Sequence, residues 1–295
     1  MNNKQLDLLT NINLDDLVNS FGWQNYPFLA HLLRSVFIKP AQTFAQNVLG
    51  FDSAVEAYGL TEAARQLMRL YVRDVCVFGT ENIPATAFMA LSNHPGMTDT
   101  LALFCALKRT DLKIIALDRP FLTALTNTTK QLFFVKGDPA SRMALVRQVS
   151  GHLRAGGAAL TFPAGEIEPD PDVYPGAVES LKSWTDSVGV FVRMAPETAV
   201  LPVLVRNVIW KNAAKHSLLK VKKEKAEREK LAAALQLLAM VMWNIKPVTV
   251  TVQIGKPFSV KELGTTDTQV IHQAVLNEMK RLIETPPDGD GMSVL

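Results

Sequence analysis

The sequence has few cysteines and little net charge. Cys76 and Cys105 are the two cysteines among 295 residues, and they form no metal-binding or redox spacing. A cysteine-based metal or redox site is therefore not indicated, and we expect reduced, buried thiols in a cytosolic protein. The net charge of +3 does not indicate a nucleic-acid partner, although a weak preference for anionic surfaces is compatible with it.

Long apolar runs are also missing. The longest candidate, residues 231–243, is interrupted by Gln236 and falls short of the roughly 18 residues that a membrane-spanning helix needs. The polar N-terminus shows no signal-peptide pattern. Hydrophobic residues still make up 48% of the chain, so we expect a sizeable core in one large domain, with or without a smaller appendage.

Residues 1–70 are predicted to form an N-terminal helical region. Pro27 marks a helix start, and an apolar stripe follows at helical spacing until Lys39 and Pro40, where the helix is expected to end. Aromatic residues precede the stripe, and basic residues lie nearby. Two interpretations stay open: this region lies at a membrane interface, or its apolar stripe packs on the domain.

From about residue 72, short apolar runs alternate with helical patterns. Strands are predicted at 75–79, 87–92, 112–117, 132–135, 158–162, 199–205 and 248–255. This alternation predicts an α/β fold with a mixed, mainly parallel sheet flanked by helices, preceded by the N-terminal helical segment. We assign residues 71–285 to this domain and expect residues 286–295 to be a disordered tail.

A long helix is predicted over residues 219–245. Its first half interleaves lysine and arginine with glutamate, which is typical of a solvated helix face. Contact with anionic lipid or with an acidic acyl-carrier protein is the alternative.

The stretch SNHPGMTDT, residues 92–100, begins at the carboxyl end of a predicted strand, where open α/β sheets bind ligands. Residues five apart in a helix lie about 140° apart, so His94 and Asp99 can meet only if Pro95-Gly96 keeps His94 on a loop. The carboxylate would then hold one ring nitrogen, and the other would be free to act as a general base toward a hydroxyl. The alternative is a core histidine beside an ordinary first-turn acid.

Two further stretches follow predicted strands. In LTFPAGEIEP, the small residues around Gly165 let backbone amides approach a bound oxygen, and Glu166 could orient a hydroxyl or pair with a cation. An ordinary strand-to-loop turn is the alternative. In LFFVKGD, Lys136 lies where a cation could hold a phosphate, with Arg142 nearby on the next helix; a solvated surface lysine is the alternative. Pro202, in AVLPVLV, is predicted to form a wall of the site.

Together these stretches resemble the glycerolipid acyltransferase superfamily, the lysophosphatidic acid and glycerol-3-phosphate acyltransferases. NHPGMTD matches the family's Asn-His-x4-Asp block, and LFFVKG matches an aromatic and apolar block with lysine in place of the final arginine. FPAGE matches the Phe-Pro-Glu-Gly-Thr block, and VLPVLV matches an apolar block with a central proline. The resemblance extends over residues 75–260, approximately.

The resemblance implies transfer of a fatty acyl group from acyl-CoA or an acyl-carrier protein, as co-substrate, to a lipid hydroxyl, with no cofactor or metal. His94 would deprotonate the hydroxyl and Asp99 would orient His94, without an acyl-enzyme intermediate. The implied substrate-binding residues are Asn93, Lys136, Arg142, Phe162, Pro163, Gly165, Glu166 and Pro202. Family members usually act at the cytosolic face of a membrane, so we expect a cytoplasmic protein held peripherally on the inner face of a membrane.

The chain departs from the family where a phosphate would bind. Ala164 and Glu166 replace the family's Glu and Thr, and Ile167 and Glu168 stand where an arginine often follows. Lys136 lacks the bidentate fork of an arginine, and acidic side chains would repel a phosphate. A lysophospholipid, a lyso-aminolipid or a nonphosphorylated alcohol is therefore favoured over glycerol 3-phosphate or lysophosphatidic acid. A noncatalytic lipid- or acyl-binding protein and a thioesterase-like hydrolase are the alternatives to a transferase.

Overall fold

Within residues 3–96 and 98–295, the part of the chain that this computed structural model describes, a sheet of eight strands carries helices on both faces. The strands are β1 Asp74–Phe78, β2 Phe88–Ser92, β3 Lys113–Leu117, β4 Leu132–Val135, β5 Ala158–Thr161, β6 Ala199–Arg206, β7 Thr249–Ile254 and β8 Met292–Ser293. Their order is β4-β3-β5-β2-β6-β7-β1-β8. The pairs β6–β7 and β1–β8 are antiparallel and the other neighbouring pairs are parallel, which confirms the predicted fold class.

The α-helices begin with an N-terminal group of three. They are α1 Asn3–Phe21, α2 Pro27–Tyr58, α3 Leu60–Tyr71, α4 Asp99–Leu107, α5 Pro120–Thr123, α6 Pro139–Arg154, α7 Ala177–Ser180, α8 Ser187–Met194, α9 Lys211–Ala214, α10 Lys225–Trp243, α11 Val260–Leu263 and α12 Thr268–Glu284. The first three form the predicted helical segment, and α2 and α3 share an apolar core with β1. Across the described ranges, no helix combines the length and apolarity needed to cross a membrane.

The central strands are buried on both faces, which explains their continuous apolar sequences. Every residue of β2 is buried. Phe88 and Ala90 pack with α3 and α4 on one face, whereas Met89 and Leu91 pack with α6, α8 and α12 on the other. Each large side chain removed from water contributes about 1.5–3 kcal/mol, so this strand is firmly held just before the residues of interest.

The second helix differs from the prediction because it continues through Pro40. A proline inside a helix removes a backbone hydrogen bond and costs about 3 kcal/mol. The second half of α2 buries Phe44, Val48 and other apolar side chains in the core. Their combined burial exceeds the cost of the proline, so the predicted helix end at Pro40 is wrong.

The long helix predicted over residues 219–245 is shorter in the structure. Residues Ser217–Val221 form a 3₁₀ helix, and α10 begins at Lys225. The side chain of Arg228 donates to the carbonyl oxygens of residues 222 and 223, which occupies acceptors that a continuous helix would use. The charged first half of α10 is mostly exposed, as its mixed charges predicted.

The end of the chain also differs from the predicted disordered tail over residues 286–295. Strand β8 pairs with β1, and the backbone N–H of Val294 donates to the carbonyl oxygen of Val75 at 3.1 Å. The side chain of Val294 is buried. These contacts correct the expectation of disorder for residues 292–294.

Both cysteines are free thiols. Cys105 is buried, as predicted, and burial raises its pKa to about 12, so this thiol stays protonated. Cys76 is only half-buried, in β1.

Candidate active site

The carboxyl edge of the sheet brings the loops after β2 and β5 together. The strand register pairs Leu91 with Thr161, so His94 and Phe162 leave their strands at nearly the same level. Their rings stack, with centroids 4.6 Å apart and planes inclined by 31°. Phe162 therefore covers one side of His94 at the edge where α/β sheets bind ligands.

His94 and Asp99 form a hydrogen-bonded pair. Nδ1 of His94 lies 2.8 Å from Oδ2 of Asp99, which is the first residue of α4. The side chain of Asp99 is 0% exposed, whereas that of His94 is 30% exposed. Because the carboxylate accepts from Nδ1–H, the neutral ring keeps Nε2 as a basic nitrogen. The structure thus places both side chains as the sequence predicted.

Neighbouring donors fix the Asp99 carboxylate. The backbone N–H of Gly96 donates to Oδ2 at 2.8 Å, and Thr100 donates to Oδ1 through its backbone N–H and its hydroxyl. The N-terminal end of α4 also favours a negative charge in the first turn. A buried carboxylate with these donors has one stable orientation, and it orients the His94 ring in turn.

The pKa of His94 lies above its ordinary value of 6.5. Burial lowers the pKa, but the charge and hydrogen bond of Asp99, together with the charge of Glu168, raise it by more. Arg119 has a smaller lowering effect. The ring is therefore a stronger base than a free histidine, and it is in its basic form only above this raised pKa.

These residues are suited to proton transfer. In the described part of the chain, no three side chains of His, Cys, Asp or Glu are grouped so as to hold a metal ion. His94 and Asp99 are bonded to each other, which is the arrangement that a general base needs.

Asn93 supports the strand edge instead of facing a ligand. Its amide N–H donates to the carbonyl oxygen of Val205, and its amide oxygen accepts from the N–H of Val205, both at 2.8 Å. The side chain is buried and extends the pairing of β2 with β6 beyond the end of β2. Because its polar groups are taken by Val205, the geometry corrects the predicted substrate contact to a structural role.

A buried carboxylate holds the loop after β6 against the His94 turn. Asp170 accepts from the backbone N–H groups of Asn207, Val208 and Ile209. Burial raises the pKa of Asp170, although these bonds oppose the rise. A Cβ at Gly96 would meet Val208 and Ile209 at 3.3 and 3.4 Å, so glycine permits this close approach of the two loops.

The FPAGE turn is ordered mainly by its own backbone. The N–H of Gly165 donates to the carbonyl oxygen of Phe162 at 3.0 Å, and a φ of +68° suits glycine there. The carbonyl oxygen of the buried Pro163 accepts from Thr185. Because the Gly165 amide closes the turn, it is not free for a ligand oxygen, contrary to the prediction. Glu166 is exposed.

Three predicted residues lie away from His94. Lys136 follows β4, three strands from β2, a lateral distance of roughly 14 Å at about 4.8 Å per strand. Lys136 and Arg142 are exposed, so they could contact an extended ligand but not the ring itself. Pro202 is buried in β6 opposite Leu91, where it forms part of the wall beneath the site.

Two charged residues act on His94 although the sequence analysis did not predict it. The sequence predicted that Glu168 would repel a phosphate, but the residue is buried. It accepts a hydrogen bond from the backbone N–H of His94 at 3.2 Å. Arg119 follows β3 and is exposed, and its charge acts on His94. The position of Arg119 after a predicted strand was a usable signal. Nothing in the local sequence shows that Glu168 folds back onto His94.

A second surface of interest is an apolar groove of about 690 Å³ between α2 and α10. Its lining includes Leu32, Val36, Leu218, Met242 and Trp243. Val36 is 58% exposed and Trp243 is 66% exposed, so the groove opens to solvent. The residues that line it do not include the His94 turn, so the groove is separate from the candidate active site.

Positive charge borders this groove. Between residues 207 and 223 the sequence has five lysines and no acidic residue, and residues 27–51 also lack acidic residues. The lysines at 211, 215, 220 and 223 are exposed. Exposed apolar side chains with bordering cations are typical of surfaces that contact anionic membranes.

Residues 74–206 match a family model whose description is Acyltransferase. The matched segment contains His94, Asp99, the FPAGE turn and Pro202. The match covers slightly less than half of the chain and supports the resemblance of this segment to acyltransferases.

Among solved structures, the chain is similar to the crystal structure of the 1-acyl-sn-glycerophosphate (LPA) acyltransferase, PlsC, from Thermotoga maritima. The two sequences are 19% identical, and the similarity covers 92% of this chain and 97% of that chain with a TM-score of 0.48. No curated protein matches the sequence. The assignment to acyltransferases therefore depends on the family match.

Replacing Asn93 tests its structural role. Asn93→Ala removes both bonds to Val205 and leaves buried backbone groups without partners, so we expect a loss of about 2–3 kcal/mol in the free energy of unfolding. Urea unfolding followed by circular dichroism measures this loss. Asn25→Ala, at an exposed position, is the control. A loss no larger than that of the control would contradict the role.

Proposed function

We propose that the protein is an O-acyltransferase for acyl groups other than amino-acyl groups. It would move a fatty acyl group from an acyl thioester, either acyl-CoA or an acyl-carrier protein, to a hydroxyl of a glycerolipid or lysolipid. The observation that carries this proposal is the 2.8 Å bond between His94 and Asp99, which leaves Nε2 free on a partly exposed ring. The family match supports the same reaction class.

In the proposed reaction, Nε2 of His94 takes the proton of the acceptor hydroxyl as its oxygen attacks the thioester carbonyl. The carbon–sulfur bond then breaks, and the departing thiolate takes the proton from the imidazolium. The products are an ester and a free thiol, with no acyl group on the enzyme. Asp99 keeps Nε2 in the basic form and stabilises the imidazolium through Nδ1.

The first test is the loss of the base. His94→Ala should lower thiol release from acyl-CoA in the presence of a lysolipid by about 10²–10⁴-fold, because general-base assistance has this magnitude. Release is followed with a thiol reagent, and circular dichroism confirms folding. His272→Ala, on α12 and away from the sheet edge, is the matched control.

The pH dependence of kcat/KM is a second test of His94 as the base. Because the pKa of His94 is raised above 6.5, kcat/KM should fall as the pH drops through a value above 6.5. Asp99→Asn removes the charge that raises this pKa, so its acid limb should move to lower pH while the rate falls.

Normal turnover by His94→Ala would refute the mechanism. Thiol release without any acceptor would indicate a thioesterase, and acyl binding without turnover would indicate a binding protein.

We also propose that the acceptor lacks a phosphate monoester. Lys136 lies far to the side of His94, Ile167 replaces an arginine of the family pattern, and the exposed Glu166 adds negative charge. Lysophospholipids, lyso-aminolipids and nonphosphorylated alcohols remain as acceptor classes. The buried Glu168 adds no outward charge to this argument.

An acceptor panel tests this proposal. Lysophosphatidic acid should have a kcat/KM about tenfold or more below that of lysophosphatidylcholine or monoacylglycerol, because a bidentate phosphate contact is missing. The measurement is thiol release at matched acyl length. A preference for lysophosphatidic acid would contradict the proposal. Arg119→Ala would then show whether Arg119 supplies the cation.

We further propose that the protein is cytoplasmic and binds peripherally to the inner face of a membrane. The groove between α2 and α10 would receive lipid chains, and the exposed lysines around it would contact anionic headgroups. An acidic acyl-carrier protein could approach the same lysines.

Vesicle sedimentation tests membrane contact. The protein should bind vesicles of phosphatidylcholine and phosphatidylglycerol more tightly than phosphatidylcholine alone. Substituting both Lys220 and Lys223 by alanine should weaken binding by about tenfold or more, at about 1 kcal/mol per lysine. Trp243→Ser should weaken it at either composition, whereas Val270→Ser, at an exposed apolar position on α12, should not. Equal binding by all variants would overturn the proposal.

A further inference from the structure

Glu168 is a buried carboxylate that the proposed reaction does not yet use. Its residue is 3% exposed, although it follows the exposed Gly165-Glu166-Ile167 segment. Burying a carboxylate is unfavourable unless donors surround it. Its contacts therefore show what it does at this position.

Glu168 and His94 exchange hydrogen bonds across the two loops. The backbone N–H of His94 donates to Oε2 of Glu168 at 3.2 Å, and the backbone N–H of Glu168 donates to the carbonyl oxygen of His94 at 2.9 Å. Both backbone groups of His94 are thus held by one residue. Asp99 orients the ring, whereas Glu168 fixes the backbone from which the ring projects.

The other oxygen of Glu168 is held from the far side. Oε1 accepts from Nε1 of Trp184 at 2.7 Å and from the hydroxyl of Ser180 at 3.1 Å. Both partners are neutral, and the neighbouring charged residues Glu179 and Lys182 are exposed. The carboxylate therefore has donors on both oxygens but no lysine or arginine in direct contact within the described residues.

From this geometry we infer that Glu168 is a positioning residue for His94 and a second carboxylate that stabilises the protonated ring during acyl transfer. The inference rests on the proposed function of His94 as the base. When the acceptor loses its proton, the ring becomes positively charged beside Asp99, which is hydrogen-bonded to Nδ1, and near Glu168, which is hydrogen-bonded to the His94 backbone. The positive ring lowers the pKa of Glu168 and so favours its ionised form.

The electrostatics agree with this geometry. Burial raises the pKa of Glu168 to about 7, although hydrogen bonds from Trp184, Ser180 and the His94 backbone oppose the rise. Asp99 and Glu168 both raise the pKa of His94, while burial and Arg119 lower it. Removing the charge at residue 168 should therefore lower the pKa of His94.

The experiment is an NMR titration of the histidine rings in the full chain, in wild type and in Glu168→Gln. The His94 signal is assigned by its disappearance in His94→Ala. Glutamine can still accept from the His94 N–H but carries no charge, so the His94 titration should move to lower pH. Glu179→Gln, an exposed acid on α7, should leave it unmoved. An unchanged His94 titration in Glu168→Gln would overturn the inference.

Kinetics separate a positioning role from general stabilisation. Glu168→Gln should lower kcat by about tenfold to a hundredfold with little change in KM, because small displacements of a catalytic group have costs of this order. Its acid limb should move to lower pH with the NMR titration. Glu168→Asp should keep the higher His94 pKa, because the charge remains, while losing kcat through the shorter side chain. Lower stability with wild-type kcat and acid limb would also overturn the inference.

Trp184→Phe provides a second variant if Glu168→Gln does not fold. It removes one donor that keeps Glu168 ionised, so the pKa of Glu168 should rise and the His94 titration should move down by less than in Glu168→Gln. No movement would count against the inference. Because the titration does not require turnover, it can fail or succeed separately from the proposed acyltransferase activity, which His94→Ala tests.

Discussion

The hydrogen bond between His94 and Asp99 is the constraint on which the site depends. A histidine at the end of a strand can turn in many directions unless something holds its ring. Here a carboxylate at the start of α4, itself fixed by backbone donors, holds the ring by one nitrogen. The side chain of His94 stays 30% exposed. The fold contributes by ending β2 and starting α4 within one short turn.

The surrounding loops fix the position of this pair at the edge of the sheet. Phe162 stacks on the ring from the β5 loop, and Asp170 draws the loop after β6 against the turn at Gly96. Asn93 continues the hydrogen bonding of β2 to β6 past the end of the strand. Three adjacent parallel strands thus control the position of one side chain.

Local patterns in the sequence predicted the strands and the reacting pair. Seven predicted strands occur within one or two residues of their expected bounds, because buried parallel strands are apolar runs that end at polar or glycine-containing turns. The Pro-Gly turn showed how His94 and Asp99 could meet, although a core histidine beside a first-turn acid stayed open as the alternative until the structure placed the two side chains together. What local patterns cannot show is contact between distant segments. Glu168 reaches His94 from 74 residues away. Arg228 bonds to the backbone of residues 222 and 223, just before α10 begins, where a continuous helix was predicted. The helix end predicted at Pro40 was wrong for a related reason. The helix continues because its second half packs against other parts of the chain, which local sequence does not show.

The pairing of β8 with β1 has a consequence for how the molecule behaves at high concentration. An open sheet has two outer strands, each with backbone groups that could recruit another copy of the chain. At one edge of the sheet the short strand β8 pairs with β1, with Met292 and Ser293 opposite Val77 and Cys76. The opposite flank ends in β4, only four residues long and followed by a charged, exposed turn. Both flanks therefore offer little template for edge-to-edge aggregation.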